Sequence, residues 1–131
     1  MAARTVAVVA ATGRTGMHVV DLLREREGVQ VVAIGRDREK LIGMHGGKAD
    51  VKLRVADVMD PSQVRAALSG ATDVMTCTGH VLGGAPPYSA TATSVTHAMK
   101  HHGIRRLVFM GSSAVLQPED KPSWMLQAML W

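Results

Sequence analysis

The residues with the clearest chemical potential come early. Ala10-Ala11-Thr12-Gly13-Arg14-Thr15-Gly16 follows directly on an apolar run from Thr5 to Val9. Glycines at 13 and 16, where a strand gives way to a helix, let a backbone approach an anion. A pyrophosphate lying on the chain leaves no room for a Cβ at Gly13, and Gly16 lets the start of the helix pack closely on the strand. The N–H groups of a first helical turn lack partners within the helix, and with the helix dipole they hold negative charge. Ala10 stands where such loops carry a first glycine, which is expected to tighten or distort the turn. The competing reading is a plain strand-to-helix turn without a ligand.

Gly35-Arg36-Asp37 closes the second apolar run, with Arg36 twenty residues after Gly16. An acidic residue at this point accepts from a ribose 2′-hydroxyl and repels a 2′-phosphate, whereas an arginine pairs with that phosphate. Lys40, four residues on, adds a second positive charge. Three readings stay open: Arg36 and Lys40 select NADP over NAD, Asp37 turns inward and selects NAD, or the two cations are solvated surface charges. Asp57, after the third run, is placed either to accept from an adenine amino group or to cap the following turn. Thr78-Gly79 ends the fourth run, where a glycine lets the chain pass close to a ribose. Cys77 beside it reads as a small core residue, since only His80 nearby offers a positive group to activate a thiol.

These residues need a scaffold, and the pattern supplies one. Short β-branched runs alternate with longer amphipathic stretches. Strands are predicted over 5–9, 30–34, 51–55, 73–76 and 106–110. Helices are predicted over 16–26, 38–44, from Asp60-Pro61 to about Ser69-Gly70, and over 89–102. Val19, Val20, Leu22 and Leu23 form the apolar side of the first helix. Asp60 is a good N-cap with Pro61 at the first helical position, and Gly103 closes the last helix. The runs from Val6 to Val9 and Val31 to Ile34 are continuously apolar, as in strands buried on both faces of a parallel sheet. Such β-α alternation predicts a doubly wound α/β domain of Rossmann type with about five strands, over residues 1–131.

The chain has 131 residues, 47% hydrophobic and 20% charged, which suits one globular domain. Net charge is +4 and the pI about 9.7. The basic residues are scattered and aromatics make up 3%, which suits a small anionic ligand and argues against nucleic acid. A single cysteine rules out an intrachain disulfide and fits a reducing compartment. No apolar run reaches the roughly 18 residues of a membrane span, and the N-terminus reads as a buried strand rather than a signal peptide. The expectation is a cytoplasmic protein without a membrane partner. His97 and His101, four apart on one helix, have no further ligand type nearby, so no metal is expected. Gly111-Ser112-Ser113-Ala114-Val115 is not a nucleophile elbow. The two serines are read either as hydrogen-bonding groups at a nicotinamide or as simple helix caps. A nucleoside-triphosphate loop is excluded, because Gly-Lys-Ser/Thr is missing.

Taken together, the loop from Thr5 to Gly16, Gly-Arg-Asp after the second strand, Ala-Asp-Val after the third, and the stretch from Ala98 to Ser113 resemble atypical short-chain dehydrogenases/reductases. Within that group the chain is similar to NAD(P)-binding NmrA-like proteins. More narrowly it is similar to the NADPH-dependent flavin reductases of the biliverdin reductase B type, on Arg36-Asp37, Lys40 and the stretch Ser112–Pro122. The resemblance implies NADPH held by Thr12, Gly13, Arg14, Thr15 and Gly16, with Arg36 and Lys40 at the 2′-phosphate. It also implies Asp57 and Val58 beside the adenine, Thr78 and Gly79 beside the ribose, and Ser113, with Ser112, near the nicotinamide. It implies hydride transfer from NADPH to a flavin or another small planar acceptor. The rival expectations are a non-catalytic NADP-binding redox sensor or assembly module, and an inactive fragment.

Two departures stand out. The Tyr-x-x-x-Lys pair of most short-chain dehydrogenases is missing, since Tyr88, the only tyrosine, is followed four positions on by Ala92. The resembling proteins also continue beyond the point matching Trp131 with pocket-closing elements. The stretch from Trp124 to Trp131 is therefore an apolar end with nothing after it. A truncated chain or self-association through this patch is expected.

Overall fold

The computed structural model describes residues 3–79 and 87–111, together with Glu119, Trp124, Met125 and Ala128. Five strands and four helices alternate along it: β1 (Arg4–Val9), α1 (Arg14–Arg24), β2 (Val29–Gly35), α2 (Arg38–His45), β3 (Val51–Val55), α3 (Pro61–Ala67), β4 (Asp73–Thr76), α4 (Tyr88–His102) and β5 (Arg106–Phe109). All strand pairings are parallel, in the order β3-β2-β1-β4-β5. This is the Rossmann-type α/β fold expected from the alternation.

The continuous apolar runs are explained by helices on both faces of the sheet. Ala7, Val9, Val32, Ile34 and Val74 point to one side, where Val64, Leu68, Val95 and Met99 of the α3–α4 layer meet them. Val8, Val31 and Ala33 point to the other and pack on Val20 of α1 and Leu41 of α2. β1 is central and buried from Val6 to Val9, while the edge strands β3 and β5 are partly exposed.

Local chemistry sets the helix ends. The Asp60 carboxylate accepts from the N–H groups of Ser62 and Gln63, with Pro61 following it. Gly103 ends α4 at φ 69°, a left-handed conformation that suits glycine. Lys100, His101 and His102 occupy the last turn of α4, where positive charge complements the helix dipole. Helix α1 starts two residues earlier than the pattern suggests, so Gly16 lies inside its first turn rather than at its boundary. Leu22 does not join the apolar side and is 62% exposed. Helix α2 extends one residue further, to His45.

Candidate functional site

The carboxyl ends of β1, β2, β3 and β4 open on one cavity of about 350 Å³. In open α/β sheets, ligands bind outside the carboxyl ends of the strands, where the strand order reverses. That reversal occurs at β1, whose neighbours are β2 and β4. Ala10, Thr12 and Gly13 form the wall after β1, and Gly35, Arg36, Asp37 and Lys40 the wall after β2. Asp57 and Val58 line it after β3, and Thr78 and Gly79 after β4.

The loop after β1 is tightly built. Ala10 has φ 60°, so this non-glycine residue adopts the left-handed conformation. The Gly13 N–H donates back to the Ala10 carbonyl at 3.2 Å, and the Ala11 N–H donates to the Ile34 carbonyl at 2.9 Å. The two glycines serve different ends. A Cβ at Gly16 would overlap the Ala10 carbonyl oxygen, so the fold itself requires glycine there. A Cβ at Gly13 would meet only that same oxygen, at an ordinary 3.5 Å. Among the described residues nothing demands glycine at 13, while the residue faces the cavity. Gly13 is also the N-cap of α1 and carries no side chain to satisfy the helix's first N–H groups. Arg14 and Thr15 are exposed and, with Gly16, lie outside the cavity wall.

After β2, the Asp37 carboxylate turns onto the helix it precedes and accepts from the Lys40 N–H at 3.0 Å. It caps α2. Arg36 and Lys40 are exposed beside the cavity, and among the described residues neither forms an ion pair. Asp57 has a demonstrable local role: Oδ1 accepts from the Met59 N–H at 2.9 Å. Its own N–H donates to Gln63 Oε1 at 3.0 Å, so this carboxylate shapes the turn before α3 while lining the cavity. The Val58 carbonyl accepts from the hydroxyl of Ser94 in α4 at 2.9 Å, which pins that wall.

Thr78 is 5% exposed, and among the described residues its hydroxyl oxygen has no hydrogen-bond partner. An unpartnered buried hydroxyl costs about 1–3 kcal/mol, and this one sits at the cavity where a polar ligand could satisfy it. A glycine-backed anion cradle, two uncommitted cations and a buried hydroxyl together fit a phosphorylated dinucleotide. Cys77 is buried on the α1–α2 side of the sheet, and burial pushes its thiol up from the ordinary range. It is a core residue. His97 is exposed, and no cluster of three metal-ligating side chains occurs among the described residues. His80, Ser112 and Ser113 lie outside the described residues.

A larger hollow of about 540 Å³ lies at the opposite, amino ends of the strands. Val6, Leu23, Met75 and Val108 line it, together with Arg4 and Arg106, which pair with Asp73. Arg4 Nη2 lies 2.6 Å and Arg106 Nε 3.5 Å from Asp73 Oδ1. It offers no anion cradle, so the carboxyl-end cavity is the candidate site.

One buried side chain that touches the loop carries no signal in the sequence. His45 is fully buried, and its Nε2 lies 2.8 Å from the Ala11 carbonyl oxygen in the loop. His45-Gly46-Gly47-Lys48 reads as a turn-rich stretch, and such a stretch does not mark a buried side chain.

The fold and this cavity define a dinucleotide-binding α/β domain. The chain belongs to the NAD(P)H-binding family, whose model matches residues 10–130. No curated protein sequence matches it significantly. Among solved structures it is similar to a Rossmann-fold NAD(P)-binding family protein from Shigella flexneri, with 23% identity and a TM-score of 0.69, over 88% of this chain and 55% of that one. It is also similar to a triphenylmethane reductase from Citrobacter sp. complexed with NADP(H), with 23% identity and a TM-score of 0.68, over 84% and 38% of the two chains. A third is an NADPH-dependent quinone oxidoreductase from Escherichia coli complexed with NADPH, with 24% identity and a TM-score of 0.66, over 79% and 35%. The chain thus spans about half or less of the length of these proteins. No helix among the described residues is long and apolar enough to cross a membrane.

Proposed function

We propose that this chain forms the cofactor-binding part of an NADPH-dependent reductase that delivers a hydride to a small planar acceptor, with flavin first among those to test. The observation that carries the cofactor preference is at the end of β2. Arg36 and Lys40 line the cavity while the Asp37 carboxylate is committed to capping α2. An arginine beside the adenosine ribose pairs with a 2′-phosphate, and a carboxylate held elsewhere does not repel it. Two similar structures, one of a triphenylmethane reductase and one of a quinone oxidoreductase, contain NADP(H) or NADPH. The resemblance to flavin reductases favours flavin as acceptor.

In this reading Thr12 and the first turn of α1 present backbone N–H groups to the pyrophosphate, helped by the helix dipole, while Gly13, whose own N–H is held by the Ala10 carbonyl, leaves room for it. Arg36 and Lys40 clasp the 2′-phosphate, Asp57 and Val58 flank the adenine, and Thr78 donates to a ribose oxygen. Ser112 and Ser113 orient the nicotinamide end. When bound, the reduced nicotinamide supplies the hydride, and the protein positions donor and acceptor. The reading extends to a cytoplasmic protein that self-associates through its C-terminal stretch, where Trp124 and Met125 are 77% and 59% exposed.

A non-catalytic, redox-sensing module is the second reading: every described lining residue given a role above holds the cofactor, as a sensor would also need. Calorimetric titration with NADPH and NADH tests the cofactor, and loss of NADPH absorbance with added flavin tests turnover. NADPH binding tighter than NADH is expected, with flavin-dependent oxidation. Tighter NADH binding would overturn the role of Arg36, binding without oxidation would favour the sensor, and no binding of either nucleotide would overturn the reading as a whole.

A further inference from the structure

Four groups, from α1, α2 and the loops after α2 and β1, form a chain of contacts that ends on the phosphate loop. Asp21 of α1 pairs with Lys48, whose Nζ lies 2.5 Å from Oδ1. The same ammonium holds the Asp21 carboxyl below its usual range. Lys48 Nζ also lies 3.1 Å from His45 Nδ1. His45 Nε2, in turn, lies 2.8 Å from the Ala11 carbonyl oxygen. The chemistry of the end groups assigns the proton on the ring. An ammonium only donates, so Nδ1 accepts from it; a carbonyl only accepts, so Nε2 carries the hydrogen and donates. Lys48 and Ala11 together select one neutral tautomer of a histidine with no exposed surface.

We infer that His45 is a positioning residue for dinucleotide binding: oriented by Lys48 and Asp21, it sets the direction in which the phosphate loop aims its N–H groups. In a trans peptide the C=O and the following N–H point in opposite directions. Drawing the Ala11 carbonyl in toward His45 turns the Thr12 N–H away from it, out of the core, and Thr12 lines the cavity. The Ala11 N–H is fixed on its own side by the Ile34 carbonyl, so both ends of this residue are held. The clamp sits where it is most needed. The preceding Ala10 holds a left-handed φ of 60° without being glycine, and such conformations persist only where the surroundings enforce them. The inference rests on the dinucleotide reading of the cavity for its binding readout and stands independently of it for its structural readout.

The test compares the wild-type chain with His45→Leu, His45→Gln and Lys48→Met. NADPH titration is combined with backbone amide spectra and hydrogen exchange of the nucleotide-free proteins, and with ring-nitrogen spectra of His45. The wild type is expected to show the Nε2-protonated tautomer, and Lys48→Met to relax that preference. His45→Leu is expected to weaken NADPH binding about tenfold, the effect of one lost buried hydrogen bond. It is also expected to shift the Thr12 and Gly13 amide signals and to speed exchange of the Ala11 and Gly13 amides, which donate within the loop. His45→Gln, which keeps a donor, is expected to recover most of the affinity, as a merely space-filling role would not require. A folded His45→Leu chain with wild-type affinity and unchanged Thr12 and Gly13 signals would overturn the inference and leave the cofactor reading standing. If the wild type binds neither nucleotide, the cofactor reading falls, and the Thr12 and Gly13 amides still decide this one. Should His45→Leu fail to fold, His45→Gln and Lys48→Met carry the comparison: an Nδ1-protonated or mixed tautomer in the wild type, or Lys48→Met spectra identical to wild type, would overturn it.

Discussion

Gly16 packs so closely on Ala10 that a Cβ at residue 16 would overlap the Ala10 carbonyl oxygen and lie 2.9 Å from its carbonyl carbon. Gly13, in the same loop, meets nothing of the kind. The two glycines of one motif thus answer to different demands, and substitution separates them. Gly16→Ala is expected to destabilise the fold by about 2–4 kcal/mol, as overpacking against backbone does. Gly13→Ala is expected to unfold at nearly the wild-type temperature yet lose at least about tenfold in NADPH affinity, because the added methyl occupies the anion's place. Thermal unfolding and titration of both variants check the pair. Weak unfolding of Gly13→Ala would move its requirement from ligand to fold.

Ala10 holds a left-handed φ of 60°. That conformation costs an L-residue about 1–2 kcal/mol, and glycine relieves it at an entropic cost of about 0.5–1 kcal/mol. Ala10→Gly is therefore expected to stabilise the chain by about 0.5–1 kcal/mol, read as a rise of a few degrees in Tm. A fall in Tm would mean that the Ala10 side chain contributes packing that outweighs its strain.

Arg36 and Lys40 differ in kind although both line the cavity. A guanidinium binds a phosphate through paired hydrogen bonds, and an ammonium acts as a point charge. Arg36→Ala is expected to weaken NADPH about tenfold or more and to leave NADH within about twofold. Lys40→Met is expected to weaken NADPH by a few fold, with a shallower dependence on salt. Equal loss for both nucleotides would show that Arg36 does not read the 2′-phosphate.

Asp73 is buried where β1, β4 and β5 begin. Arg4 donates to both its carboxylate oxygens, and Thr72 donates to Oδ2. The hydrogen bond and charge of Arg4 hold the carboxyl below its usual range against the opposing effect of burial. The folded state thus favours the ionised form. This contribution is fully present above the unfolded value of about 3.9 and is lost as pH falls through the lower folded value. Unfolding temperature is expected to drop with pH below about 4, and Asp73→Asn to flatten that dependence while lowering stability at neutral pH. An unchanged acid limb in the variant would assign the loss to other carboxylates.

Much of this architecture is legible in the sequence because its causes are local. Continuous β-branched runs mark strands covered on both faces, Asp60-Pro61 marks a helix start, and Gly103 marks a helix end. Each signal arises within a few residues, where periodicity and capping act. The loop after β1 is legible for the same reason. Tertiary structure alone decided what depends on partners distant in sequence. Parallel pairing with β1 at the centre brings Thr12, Arg36, Asp57 and Thr78 around one cavity, since only the strand order sets which carboxyl ends are neighbours. It turned Leu22 outward, since among the described residues the sheet meets α1 on the side of Val20 instead. It also buried His45 against the Ala11 carbonyl, 34 residues away in the chain. A lone histidine beside glycines carries no periodicity, and its burial follows from which backbone carbonyl the packed sheet presents to it.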